Sequence, residues 1–333
     1  MTNRPYMDPS GFFREIPLLP HQMVDRLTLA ENVIVLCHLG VPQISIDDWS
    51  LRIDGLVSKP NLLRFSDLRA RRKYSVESVH QCAGSPLAPN EPTRRICNVV
   101  WGGARLDEIL ADCGVQPDVR YIWSKGADYG TFDGLEIDAY EKDLPFERLG
   151  EDVLIAYELN GNPLTPAHGF PARLVVPGFY GTNSVKWLTN LRLESDRASG
   201  LFTTRWYNDP VLDAFGRPTG RSAPVWAIAP ESVIVCPEPG SILKAGVNQE
   251  IWGWCWADQG VSDVRIGLND PVRWQPAELD KKQNRAWQRF STTWMPTEVG
   301  EHTIQSLARA TDGTEQPLTG KRNAVHTVAV TVV

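Results

Sequence analysis

His168-Gly169-Phe170-Pro171-Ala172-Arg173-Leu174-Val175-Val176-Pro177-Gly178 is followed, thirteen residues after Arg173, by Lys186-Trp187. One imidazole, one guanidinium and one ammonium therefore fall close together in the chain, among glycines, prolines and valines. Arg offers a planar fork of donors and Lys a compact point charge, so the grouping suits a buried anion. A structural ion pair or a solvated strand edge is the ordinary alternative. Upstream lies Gln81-Cys82-Ala83-Gly84, a lone thiol beside two small residues. A cationic cradle with one isolated cysteine suits a thiolate-ligated metal on a phosphate-bearing organic cofactor.

The chain has 333 residues, enough for two domains with full cores. Hydrophobic content of 42% and charged content of 22% are those of an ordinary globular protein. A net charge of −6 argues against a general nucleic-acid binder, which needs a basic face to displace counterions. Six cysteines show no CxxC pair, so zinc-ribbon and thioredoxin readings fail. Met1-Thr2-Asn3-Arg4-Pro5 lacks a charged segment followed by an apolar run, and no stretch is apolar enough to span a bilayer. The expectation is a cytoplasmic chain without a membrane segment.

Residues 1–30 read as a Pro-punctuated N-terminal extension. From 31 to 210 the pattern mixes strands and helices, an α+β domain. Val33-Ile34-Val35-Leu36 reads as a buried strand, Ile44 to Ile53 as a half-buried one by alternation, and Leu174-Val175-Val176 and Val185 to Leu193 as others. Leu106, Ile109, Leu110 and Cys113 recur at helical spacing before Gly114, which predicts a helix and its stop. Val153 to Tyr157 reads as a strand, with Asn160-Gly161 as a tight turn. Residues 208–224 are rich in Pro and Gly, and 211–224 read as a linker. In 225–333, short strands at 232–235, 249–256, 261–268, 288–294, 302–308 and 325–332 alternate with turn residues. No helical period appears there, which predicts an immunoglobulin-like β-sandwich.

The run from Tyr157-Glu158-Leu159-Asn160-Gly161-Asn162-Pro163-Leu164 through His168–Gly178, Gly181 and Ser184-Val185-Lys186-Trp187-Leu188 resembles the sulfite oxidase family of molybdenum enzymes. Gln81-Cys82-Ala83-Gly84 belongs to the same signature. Ala308-Arg309-Ala310-Thr311-Asp312, Gln316-Pro317 and Asn323-Ala324-Val325-His326 resemble that family's second domain. The resemblance implies a mixed α/β molybdopterin-binding domain of sulfite oxidase fold, then an Ig-like dimerisation domain in a homodimer. It implies a molybdenum-molybdopterin cofactor with Cys82 as the one protein ligand of the metal.

By the same resemblance, His168, Arg173, Ser184 and Lys186 contact the pterin and its phosphate, while His38 and Asp128 lie beside the pterin. Trp101, nineteen residues past Cys82, matches a pocket tryptophan, and Tyr207, twenty past Trp187, a tyrosine near the metal. The commonest fate of an unpaired Cys is a buried apolar thiol, and Tyr207 also suits an aromatic anchor. No b-type haem domain is visible, so electrons are expected to pass to or from a separate donor or acceptor.

The chain departs from the family at three arginine positions that surround an oxyanion. Leu36, Leu87 and Thr319 stand there. Each charge-assisted hydrogen bond contributes roughly 1.5–3 kcal/mol, so three independent losses remove roughly 5–9 kcal/mol of anion stabilisation. Arg94, Arg95 and Arg205 lie elsewhere, not at the matching positions. The resulting expectation is oxygen-atom transfer on a small neutral or weakly charged substrate. The rivals are a sulfite oxidase with a rearranged anion site and an inactive cofactor-binding or interaction module.

Overall fold

The computed structural model describes residues 5–8, 18–85, 95–269, 273–319, 322–325 and 327–333. Leu87, Arg94, Gly320 and His326 lie outside the described residues. The chain divides into two units. The first is built mainly from Ile34–Val76 and Val100–Trp226, the second from Glu77–Val99 and Ala227–Val333 with residues 18–33.

In the first unit, one sheet runs in the order Glu141–Pro145, Tyr121–Gly126, Leu188–Glu194, Ser50–Gly55, Asn61–Arg64. Leu188–Glu194 pairs parallel with Ser50–Gly55, and the other neighbours are antiparallel. Leu154–Leu159 pairs with Ile96–Arg105 and with Arg173–Val175, and returns through Asn160-Gly161 to Asn162–Pro163. Asn160 and Gly161 have φ of 49° and 80°, the left-handed pair that a two-residue hairpin turn requires.

Among the described residues strand far outweighs helix. The α-helices in the first unit are short, Phe65–Ala70, Leu106–Cys113 and Leu201–Thr204. The expected helix is therefore present, but helices make up less of the unit than the mixed pattern implied. Leu106, Ile109, Leu110 and Cys113 are all buried, and Gly114 ends the helix at φ 64°. Those side chains join Leu51, Ile53, Ile122, Ile155, Leu174, Leu188, Leu191 and Leu193 in one core. Burying each Leu or Ile contributes about 1.5–3 kcal/mol relative to leaving it in water.

Three strand expectations shift. Val33 to Val35 are buried, but the segment has no ladder beyond a single bridge at Leu36 and follows the 3-10 turn Ala30–Asn32. An apolar run reports burial, not hydrogen bonding, and here the Leu36 carbonyl accepts from a side chain instead. The Ile44–Ile53 alternation becomes strand only at Ser50, because residues 46–48 turn. The strand expected from Val185 begins at Leu188, because Trp187 takes φ 50°. The Pro/Gly-rich stretch folds as an exposed ribbon in which Asn208–Leu212 pairs with Pro218–Pro224.

The second unit holds two sheets. One runs Glu231–Cys236, Gln249–Trp256, Gln288–Trp294, Glu278–Leu279; the other Ile242–Leu243, Thr327–Val332, Gly300–Ala310, Val261–Leu268, Arg273–Pro276. Ile234, Ile251, Cys255 and Phe290 from the first share a core with Val264, Ile266, Ile304, Ala308, Val328 and Val330 from the second. Alternation inward and outward along Thr327–Val332 gives each sheet one apolar face, and the two faces bury each other. Trp254 stacks on Trp287 at 5.0 Å, and their indole N–H groups donate to the Met23 and Arg26 carbonyls. Among the described residues, no helix is long and apolar enough to cross a membrane.

Candidate functional site

The quoted stretch folds around a 3-10 turn, Pro166–His168, capped by Thr165. The Thr165 hydroxyl lies 2.8 Å from His168 Nδ1, which fixes the imidazole ring. Gly169 follows with φ 108°, a conformation that L side chains rarely adopt. A Cβ there would lie 3.2 Å from Arg173 Cβ and 3.2 Å from Lys186 Cβ and Cγ, so glycine also permits the close approach of the two cationic residues.

Arg173 is buried and donates from Nη1 to the His168 carbonyl (3.0 Å) and from Nη2 to the Ser184 carbonyl (2.9 Å). Its guanidinium lies 4.9 Å from the centroid of the Trp101 ring. Ser184 is buried as well, and its hydroxyl accepts from the Val176 N–H. Lys186 donates to the carbonyls of Leu36 (2.7 Å) and Ala167 (3.0 Å) and to Cys37 Sγ (3.2 Å). Burial lowers the Lys186 pKa, and the Arg173 charge lowers it further. Two cations thus share one polar shell built largely from backbone oxygens.

Asp128 is the carboxyl of this shell. It is buried, and its Oδ1 has no hydrogen-bond partner among the described residues. Burial pushes its pKa up to about 7 against the pull of Lys186. A Cβ on Gly126 would fall 2.8 Å from the Lys186 carbonyl, so that glycine admits the Lys186 backbone beside Asp128.

His38 links this shell to an aromatic box. Burial, with the Lys186 charge in second place, drives its pKa down to about 3. Its Nε2 lies 2.5 Å from the Tyr207 hydroxyl, and Phe132, Tyr140 and Phe202 pack around the ring at 5.0, 5.5 and 5.1 Å. Sequence reasoning missed Lys142, which is fully buried, donates to the Phe202 carbonyl and lies 5.5 Å from the Tyr207 ring centroid. Burial lowers its pKa to about 8. The alternation around Lys142 gave no sign that a lysine points inward.

Cys82 belongs to the second unit. It is half-buried and lies in the turn after the strand Tyr74–Gln81. The Gly84 N–H donates to its Sγ at 3.3 Å. Arg95 donates to the Gly84 carbonyl and Arg322 to the Ala83 carbonyl. Burial raises the thiol pKa, and the Gly84 N–H and the charges of Arg95 and Arg322 oppose it. Gln81 is fully buried, bonded through Nε2 to Glu231, Asn323 and the Ser85 carbonyl, and through Oε1 to the Trp256 indole N–H.

The structure therefore brings His38, Asp128, His168, Arg173, Ser184, Lys186, Trp101 and Tyr207 into the first unit, six of them in two adjoining shells around Lys186. Trp101 is wholly buried, with the Arg173 guanidinium over its ring. Arg205 is exposed and paired with Asp133. Arg322 escaped the sequence reading, since nothing in a lone Arg marks it as a neighbour of a particular turn.

Residues 38–202 match the family described as an oxidoreductase molybdopterin binding domain. The sulfite oxidase of Gallus gallus is 30% identical over 303 residues, 83% of this chain and 64% of that protein. The mitochondrial sulfite oxidase of Drosophila melanogaster is 30% identical over 267 residues, 74% of this chain and 46% of that protein. The crystal structure of the sulfane dehydrogenase SoxCD from Paracoccus pantotrophus matches with a TM-score of 0.78 and 26% identity, over 93% of this chain and 82% of that one. Fold and site define a molybdopterin-binding protein of the oxidoreductase class. The chain belongs to the sulfite oxidase family. It spans 46% and 64% of the length of those two sulfite oxidases.

The residues fit the family's cofactor. Asp128 Oδ1 is a buried acceptor suited to ring N–H groups, and Arg173 and Lys186 carry buried positive charge suited to a phosphate. No group of three His, Cys, Asp or Glu among the described residues could hold a metal ion.

Proposed function

We propose that this chain is a molybdopterin-dependent oxidoreductase acting by oxygen-atom transfer on a small substrate. Cys82 supplies the protein thiolate to molybdenum; His168, Arg173, Ser184 and Lys186 hold the pterin phosphate; His38 and Asp128 orient the ring. When bound, the cofactor supplies a two-electron redox centre able to exchange an oxygen atom with substrate. The chain's part is positioning and electrostatics. Arg173 and Lys186 provide positive charge, Asp128 an acceptor, and Tyr207 a hydroxyl hydrogen-bonded to His38.

The observation that carries this reading is the buried shell in which Lys186, Arg173 and Asp128 close around Gly169 and Gly126. Molybdenum and pterin analysis of the purified protein tests it. Near-stoichiometric cofactor is expected in the parent chain and a marked loss in Lys186→Met. Equal cofactor in both, or none in either from a host that makes molybdopterin, contradicts it.

The substrate's charge depends on what surrounds Cys82. The residues at Leu36, Leu87 and Thr319 favour a neutral or weakly charged molecule. Arg95 and Arg322 favour the second reading, a sulfite oxidase with a rearranged anion site. Relatives named for sulfite and sulfane support a sulfur compound in either case. Turnover of sulfite against sulfoxides and N-oxides, with artificial electron donors and acceptors, separates the two. A separate protein serves as electron partner, and two copies pair through the second unit, whose two packed sheets support the immunoglobulin-like reading. Sedimentation of the full chain checks the pairing.

A further inference from the structure

We infer that Cys37 and Lys186 form a redox-modification site. A hydroperoxide oxidises the Cys37 sulfur, and the Lys186 nitrogen then bonds to it in a reversible link that takes Lys186 away from the cofactor. The consequence for the cofactor rests on the proposed role of Lys186; the link itself does not.

Geometry carries it. Lys186 Nζ lies 3.2 Å from Cys37 Sγ, within the roughly 3–3.5 Å of a near-attack pair. The nitrogen is fixed there by the Leu36 carbonyl at 2.7 Å and the Ala167 carbonyl at 3.0 Å, with the Trp187 ring centroid 4.3 Å away. The three N–H donors of the ammonium are thus spent on two carbonyls and one sulfur. A thiol sulfur is a weak acceptor, so hydrogen bonding alone does not call for a cysteine here.

The surroundings select the product. Cys37 is buried with Val35, Val41 and Trp187, and Ile44, Ala127 and Ala167 pack on that cluster, which holds no second cysteine among the described residues. Such an apolar wall admits a small peroxide and excludes a bulky thiol. Part of Lys186 stays open to solvent, which gives the peroxide its approach. His38, next in the chain, turns its Nε2 to Tyr207. Burial lowers the Lys186 pKa, so more of it is neutral amine, with a free electron pair, than of an exposed lysine.

The chemistry balances in two steps. The thiol and the hydroperoxide exchange an oxygen: the O–O bond breaks, the sulfur loses two electrons, and the products are a sulfenic acid and an alcohol, or water from hydrogen peroxide. The Lys186 amine then attacks the sulfenic sulfur, the S–N bond forms, the S–O bond breaks, and water leaves with one proton from the nitrogen. Two further thiols reverse the link and become a disulfide. While linked, the nitrogen carries no positive charge for a phosphate.

Peptide mapping by mass spectrometry tests the link in the full chain prepared without cofactor, before and after hydrogen peroxide. The main product at Cys37 is expected to be a peptide joined to Lys186, lighter than its two parts by two hydrogens and released by dithiothreitol. In Lys186→Met the same dose should carry Cys37 on to sulfinic acid, because the trapping amine is gone. A parent Cys37 that stays a thiol, advances to sulfinic acid as readily as in the variant, or links to the His38 backbone nitrogen or to another cysteine overturns the inference.

Cofactor uptake separates this from the reading beneath it. The linked chain should take up molybdenum cofactor severalfold less than the reduced chain and recover after dithiothreitol. A linked chain that takes up as much as the reduced one overturns the control of loading, and with it the role given to Lys186.

Discussion

His38 Nε2 lies 2.5 Å from the Tyr207 hydroxyl, and burial beside Lys186 keeps that imidazole neutral, with a pKa near 3. A neutral imidazole has one donor and one acceptor nitrogen, and at this distance Nε2 and the phenol hydroxyl share one hydrogen bond. Tyr207 sits at φ 59°, its carbonyl bonded to the Val225 N–H, and Phe202 and Lys142 pack on its ring. The hydroxyl is thus aimed by backbone as well as by side chains.

Tyr207→Phe removes the hydroxyl and with it the hydrogen bond to His38 Nε2. The expected stability loss is about 1–2 kcal/mol by urea unfolding. Turnover should fall about tenfold or more, with a smaller change in KM, if the hydroxyl acts on the reacting group. Unchanged kcat would remove Tyr207 from the reactive machinery.

His38 also makes a pH prediction. Its folded pKa is depressed from 6.5 to about 3, so below pH 6.5 the unfolded chain takes up a proton that the folded chain refuses. Stability from this group is present above that pH and is lost as pH falls. Between pH 6.5 and 5 the loss is about 2 kcal/mol. Denaturant unfolding of the parent chain and His38→Gln at both pH values should show the variant losing less.

Asp128 has the opposite sign. Its folded pKa is raised from 3.8 to about 7, so its contribution is complete below 3.8 and fades as pH rises to 7. Asp128→Asn should make the cofactor-free protein at least as stable as the parent at pH 8, while lowering its molybdenum content because an acceptor facing the ring is gone. A variant that is less stable and retains full molybdenum would contradict both parts.

Gly169→Ala places a Cβ at φ 108°, against the Arg173 and Lys186 side chains. The strain alone costs about 1–3 kcal/mol. Thermal unfolding should show the loss in cofactor-free protein, and cofactor content should fall with it. A neutral substitution would mean that the turn relaxes without disturbing the cations.

Period and turn chemistry were readable where local chemistry decides the structure. Gln249–Trp256, Val261–Leu268 and Gln288–Trp294 end where their alternation ends. Leu106–Cys113 ends at its glycine. The single bridge at Leu36 was not readable, because its carbonyl is satisfied by Lys186, 150 positions away. The buried cations Arg173 and Lys186 stood out by their place among glycines, prolines and valines. Lys142 and Arg322 did not, since each owes its place to a partner distant in sequence, Phe202 for Lys142 and Ala83 for Arg322.

The most direct test of the account is X-ray absorption at the molybdenum edge of the parent protein and of Cys82→Ser, both from a host that makes the cofactor. The parent should show molybdenum with one more sulfur neighbour than the variant, and the variant should keep its pterin through the unchanged Arg173 and Lys186. The same number of sulfur neighbours in both proteins would contradict the assignment of Cys82 to the metal.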